Sequence, residues 1–114
     1  LLTESSIKII DPLGYIEFIN LLLNCGLVIT DSGGVQEEST VLGIPCITLR
    51  PNTERPITCT HGTNTLYNIN TDTDLISLVN SKYQQHKNYN NDILLWDGKS
   101  GERIANIFND IIKI

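Results

Sequence analysis

There is no methionine among the 114 residues, not even at position 1, so the sequence reads as beginning inside a longer gene product. Charge is sparse at 18% of residues, and the formal net charge is -5. That acidic balance argues against nucleic acid or an anionic membrane as partner, since both are polyanions. It leaves room for one phosphate ligand, which local backbone donors can hold against the net field. Cysteines number three, Cys25, Cys46 and Cys59. An odd count without C-x-x-C spacing argues against a disulfide framework or a zinc site. Cys25 and Cys46 sit in apolar surroundings and are expected to be buried and reduced, which fits a cytoplasmic protein. No run approaches the ~20 apolar residues of a membrane span, and no signal peptide opens the chain. His61 and His86 have no metal-ligand spacing. His86, in a polar stretch, is expected to be exposed, and His61 to be a loop or core residue. With no nucleophile–base pair and no facing carboxylates visible, the sequence names no catalytic residue and no metal site.

What is there fits one ordinary globular domain spanning residues 1–114, with 40% hydrophobic residues. Short apolar runs alternate with helical periodicity. Ile7–Ile10 reads as a strand ending at Asp11-Pro12-Leu13-Gly14. Tyr15, Phe18, Ile19 and Leu22 then fall on one helical face, which by spacing alone makes Phe18 a core residue. Asn24-Cys25-Gly26 stops that helix, with Gly26 suited to a left-handed C-cap. Leu27–Thr30 is apolar without alternation, the mark of a strand covered on both faces. A short helix follows from Val35 to Leu42, ended by Gly43 with Pro45 beyond. Cys46–Leu49 is the next strand, a polar loop covers Arg50–Asn64, and Thr65–Tyr67 is a weak fourth strand. Asp72 or Thr73 is placed to cap a helix carrying Leu75, Leu78 and Val79. The polar stretch from Gln84 to Asn91 carries no structural signal, and Ser100–Ile112 is the last helix. This alternation predicts a parallel sheet with helices on both faces and ligands outside the C-terminal strand ends.

Two loops at that edge carry unusual chemistry. In Thr30-Asp31-Ser32-Gly33-Gly34-Val35-Gln36-Glu37-Glu38 a buried strand runs into two glycines and at once into a helix. A helix N-terminus offers unpaired N–H groups and positive potential, and glycine lets a phosphate approach the backbone. The same residues also fit a plain turn capped by Asp31 or Ser32, and G-x-G-x-x-G is absent. For Glu37 and Glu38 the pattern alone favours complementing the helix dipole, with ribose hydroxyls as the other use for a carboxylate just past a phosphate. In Arg50-Pro51-Asn52-Thr53-Glu54-Arg55-Pro56, two arginines fit either a phosphate clamp or a solvated loop.

Taken together, Asp31–Glu38, Leu42-Gly43-Ile44-Pro45, Arg50, Thr53-Glu54-Arg55-Pro56, Gly62-Thr63-Asn64 and Trp96-Asp97-Gly98-Lys99 resemble the non-hydrolysing UDP-N-acetylglucosamine 2-epimerases. Asp11-Pro12 followed by Tyr15 and Phe18 matches the segment ahead of the phosphate loop. The resemblance runs in order over nearly the whole chain, and the pairing of D-S-G-G-[VI]-Q-E-E with T-E-R-P is its specific part.

The resemblance implies a Rossmann-like, three-layer α/β domain with a parallel sheet. It would be the C-terminal half of a two-domain GT-B-type fold whose N-terminal catalytic domain is not in this chain. It implies that Ser32, Gly33 and Gly34 hold the UDP diphosphate. Glu38 would bind the ribose hydroxyls, Phe18 would lie against the uracil, and Arg55 would approach the diphosphate or order its loop. The family interconverts UDP-GlcNAc and UDP-ManNAc by eliminating UDP to a 2-acetamidoglucal and adding it back, needs neither metal nor NAD, and is commonly homodimeric. Its proton-transfer groups lie outside the matched segment, so this chain alone is expected to bind UDP weakly and catalyse nothing. Two neighbouring enzyme readings share the nucleotide half: the hydrolysing 2-epimerase and the donor domain of a GT-B glycosyltransferase, in which T-E-R-P is not expected. A free-standing UDP-binding module is the non-enzymatic alternative.

Overall fold

A computed structural model describes residues 6–85 and 93–113. The expectations for His86 and for most of the polar stretch up to Asn91 lie outside the described residues. Helix α1 (Tyr15–Leu23) leads to β1 (Val28–Thr30), α2 (Gly33–Leu42), β2 (Cys46–Thr48), α3 (Ile57–Thr60), β3 (Asn64–Leu66), α4 (Leu75–Lys82) and α5 (Ser100–Ile112). The strands form one parallel sheet in the order β1-β2-β3. Val28, Cys46 and Asn64 stand side by side, as do Thr30, Thr48 and Leu66. Parallel neighbours need a crossover, and α2 and α3 supply the two.

All three residues of the central strand β2 are buried. With Leu22, Ile44, Tyr67 and Ile93, Cys46 and Ile47 make the apolar core. Burial pushes the Cys46 thiol up from its ordinary value, so it behaves as a small inert hydrophobe. Gly43 ends α2 in the left-handed conformation, φ 73°, where a β-carbon would be strained.

Several local expectations are corrected. Ile7–Ile10 forms no strand and lies exposed, Ile9 almost completely at 96%. A strand exists only when a neighbour takes its backbone hydrogen bonds, and no described strand lies beside this run. Gly26 is not the left-handed cap of α1. Asn24 is the C-cap, and its side chain also donates to the Asn20 carbonyl at 2.7 Å. Gly26 instead makes room for Tyr83, whose ring would stand 2.5 Å from a β-carbon there. The cap of α4 is neither Asp72 nor Thr73 but Asp74, which accepts from the Ser77 N–H at 2.9 Å. Asp72 closes the turn after β3, accepting from the Asn68 N–H at 2.8 Å.

The radius of gyration is 17.6 Å, against roughly 13 Å for a compact domain of this length. Helix α5 buries no residue and exposes Ile107 (59%), Phe108 (58%) and Ile111 (56%). Ile104 continues the same stripe. No described helix is long and apolar enough to cross a membrane.

The start of α5 is tied to Asp97, which accepts from the Lys99 N–H at 3.0 Å and from Arg103 Nη1 at 2.9 Å, with Arg103 Nη2 on its second oxygen. The Arg103 guanidinium, then the Lys99 amide, hold the Asp97 carboxyl down at about 2. A carboxyl depressed below its unfolded value of about 3.9 stabilises the folded state above that pH. The contribution disappears as pH falls through 2. Carbon-detected NMR titration should place the Asp97 midpoint near 2, and Asp97→Asn should abolish the acid sensitivity of α5 between about pH 4 and pH 2. An ordinary midpoint near 4 would refute the tether.

Candidate functional site

The two loops singled out from sequence meet at the C-terminal edge of the sheet. Ser32 is the N-cap of α2, and the helix begins at Gly33, two residues earlier than expected. Its hydroxyl makes no capping bond. The loop is set instead from behind, because the Ser32 N–H donates to Thr30 Oγ1 at 3.0 Å. With no acidic residue within the first turn of α2, the helix start keeps the donors and positive potential of an N-terminus.

The early start also corrects the reading of Glu37 and Glu38. Both lie in the second helical turn, where the dipole has largely faded, so complementing it does not explain them. Glu37 pairs with Arg55 across the two loops: Arg55 Nε stands 3.0 Å from Glu37 Oε2, close enough for an ion pair but out of line for a hydrogen bond. Both side chains are more than a third exposed, and such a pair contributes roughly 1 kcal/mol or less.

Arg55 lies over Gly33. A β-carbon at Gly33 would stand 3.1 Å from Arg55 Nη1 and 3.2 Å from its Cζ. The absent side chain leaves room for the guanidinium beside the start of α2, where a β-carbon would push it back by a few tenths of an ångström. Arg50 does not share this role. Glu54 holds it through two bonds, Nη2 to Oε1 at 2.8 Å and Nη1 to Oε2 at 3.1 Å. That pairing raises the Arg50 pKa and lowers that of Glu54. Of the two arginines in the sequence pattern, one is engaged within its own loop and one is presented at the helix N-terminus.

Beneath these loops lies a buried polar network that sequence reasoning missed. Gln36 is fully buried. Its Oε1 accepts from Thr53 Oγ1 at 2.6 Å and from Asn64 Nδ2 at 3.1 Å, and its Nε2 donates to the Ser32 carbonyl at 3.2 Å. Thr48 Oγ1 donates to Asn64 Oδ1 at 2.6 Å. Asn64 Nδ2 also lies 3.1 Å from Thr58 Oγ1. The available signal was a hydroxyl and a carboxamide, Thr48 and Asn64, placed in or beside otherwise apolar strands.

Glu38 borders a cavity of about 290 Å³ with Tyr15, Ile19, Glu37, Val41 and Leu42. Phe18, half-buried on α1, lines a separate apolar groove with Leu21, Leu22, Cys25, Leu27, Val28 and Ile29. Ser32, Gly33, Gly34, Arg55 and Glu37 are therefore brought together, Glu38 adjoins them through Glu37, and Phe18 stands on another wall. His61 is an exposed residue at the end of α3, with Nδ1 2.9 Å from Thr60 Oγ1.

The family model for UDP-N-acetylglucosamine 2-epimerase matches residues 2–109. The chain belongs to that family. The UDP-N-acetylglucosamine 2-epimerase of Methanocaldococcus jannaschii is 49% identical over 105 residues, 92% of this chain and 28% of the relative. That of Methanococcus maripaludis is 45% identical over 101 residues, 89% of this chain and 27% of the relative. A UDP-2,3-diacetamido-2,3-dideoxy-D-glucuronate 2-epimerase of Pseudomonas aeruginosa is 52% identical over 60 residues, 53% of this chain and 17% of its own. The crystal structure of the M. jannaschii enzyme in complex with UDP-GlcNAc and UDP superposes with a TM-score of 0.78 at 47% identity, covering 94% of this chain and 29% of that one. This family member thus spans under a third of the length of the relatives it matches, and its fold is Rossmann-like α/β.

The Gly33–Arg55 contact is directly testable. Gly33→Ala should leave thermal stability unchanged or slightly raised, since alanine suits a helix better. It should shift the guanidinium by a few tenths of an ångström and weaken binding of inorganic pyrophosphate about fivefold, a part of the roughly 1.5–3 kcal/mol of a hydrogen bond to a charged group. Unchanged pyrophosphate affinity in a calorimetric titration would remove Arg55 from the site.

Proposed function

We propose that this chain is the UDP-binding part of a UDP-N-acetylglucosamine 2-epimerase that interconverts UDP-GlcNAc and UDP-ManNAc. The observation that carries this is the Arg55 guanidinium resting on Gly33 at the open N-terminus of α2. A diphosphate placed there meets backbone N–H donors, the Ser32 hydroxyl and a planar cation together. Taking Arg55 from Glu37 costs little, because the pair is weak and partly solvated. Glu38 is assigned to the ribose hydroxyls and Phe18 to the uracil.

In the reaction, the C2 proton is removed and the bond from C1 to the UDP oxygen breaks, leaving a 2-acetamidoglucal. UDP then returns to C1 as C2 is protonated on the other face. Negative charge grows on the diphosphate as the bond breaks, so Gly33, Gly34 and Arg55 stabilise the departing group and keep it from diffusing away. The matched relatives support a division of labour. The substrates named for the M. jannaschii and P. aeruginosa enzymes share UDP and differ in the sugar. A segment common to both suits the shared nucleotide. Proton transfer at C2 is assigned to residues outside this chain.

The domain is accordingly read as the C-terminal half of a GT-B-type enzyme. The exposed stripe Ile104, Ile107, Phe108 and Ile111 on α5, the exposed run Ile7–Ile10 and β1, an edge strand among the described residues, are surfaces for the remainder of that protein. The same reading makes the full enzyme a cytoplasmic homodimer supplying nucleotide sugars to polysaccharide biosynthesis, and three unpaired thiols suit a reducing compartment.

Amide NMR titration of the chain with UDP, with AMP and free GlcNAc as controls, tests the nucleotide assignment. Shifts confined to Ser32–Glu38, Arg55 and Phe18, with UDP alone, are expected. Equal shifts with AMP, or none with UDP at millimolar concentration, would overturn it.

A further inference from the structure

We propose that Gln36 is a positioning residue for the diphosphate, acting through the backbone of Arg55; this rests on the UDP reading of the same loops. Arg55 has only its guanidinium at the ligand edge, and its main chain is pinned on both sides. Its N–H donates to Thr53 Oγ1 at 3.0 Å, and its carbonyl accepts from Thr58 Oγ1 at 2.7 Å. Both hydroxyls are fixed from below. Thr53 Oγ1 gives its proton to Gln36 Oε1, and Thr58 Oγ1 lies within reach of Asn64 Nδ2, which also donates to Gln36 Oε1. The other end of the same carboxamide donates to the Ser32 carbonyl. One buried side chain therefore holds the residue before the helix N-terminus and, through two threonines, the residue that crosses it.

The geometry is specific to glutamine. Oε1 is used twice as an acceptor and Nε2 once as a donor. Glutamate would bury a charge and lose the donor to Ser32, and methionine would leave Thr53 and Asn64 without their acceptor. Full burial admits no water to replace either partner.

The test is a double-mutant cycle on the chain, read by NMR titration with UDP and with uridine, which has no phosphate. Thr53→Val is the lead variant, since it removes the hydroxyl that links Gln36 to Arg55 while leaving the buried glutamine in place; Gln36→Met is the second. Each is made in the native and the Arg55→Ala background, with amide dispersion confirming the fold. Expected is a loss of UDP affinity of about five- to tenfold in the native background, less than about twofold in Arg55→Ala, and no change for uridine. Equal losses in both backgrounds, or a parallel loss for uridine, would show a general structural role and overturn the proposal. Should Gln36→Met not fold, the Thr53→Val cycle decides alone. A native chain that binds no UDP would end both this inference and the function it rests on, whereas a native chain that binds UDP with an additive cycle ends only this one.

Discussion

A carboxamide sealed from water must find all its partners in protein, and Gln36 finds them in three chain segments at once. Its acceptor serves Thr53 in the loop after β2 and Asn64 at the start of β3, and its donor serves the Ser32 carbonyl at the head of α2. Each bond made singly contributes only about 1 kcal/mol net, but leaving a buried group unmet costs more. The sheet edge, the loop at Ser32 and the loop at Thr53 therefore hold one relative placement, since moving any of them orphans a buried polar atom. The contact of Arg55 with Gly33 depends on this constraint.

The same constraint explains why polar residues occupy the centre of the sheet. Thr48 and Asn64 lie in strands where aliphatic side chains would otherwise pack. Both are buried, and they satisfy one another at 2.6 Å. Apolar residues there would deepen the core and leave Gln36 with one acceptor bond fewer. Stability is provided instead by Ile44, Cys46 and Ile47 on the same central strand and its approach.

Local rules made much of this legible. The loop from Asp31 to Gly34, the end of α2 at Gly43 and the span of α5 follow from glycine, capping and helical spacing, all set by nearest neighbours. Interactions between distant segments were not legible. Ile7–Ile10 has the composition of a strand, but a strand is a property of a pair. Glu37 and Glu38 suggested a dipole role because the helix was expected to begin at Val35; with the helix starting at Gly33, that role passes out of range. Gln36 drew no separate reading, because nothing adjacent in sequence shows that Thr53 and Asn64 fold over it. The uracil reading of Phe18 rests on family resemblance alone, since its spacing is that of any helix-face aromatic.

Glu37 acts on Arg55 from the second turn of α2. A guanidinium alone over a helix N-terminus faces like-signed potential from the amides below it, and with nothing to hold it the long side chain would sample other rotamers. The carboxylate at 3.0 Å keeps Arg55 extended across Gly33. Because the two are partly exposed and their contact is out of line, the restraint is soft enough for an anion with several well-aligned oxygens to displace it. Placing that carboxylate one turn into α2, and not at its first residue, leaves the amides of Gly33, Gly34 and Val35 open. The arginine is thus held beside Gly33 by a partly solvated carboxylate that stands a turn away from the helix N-terminus.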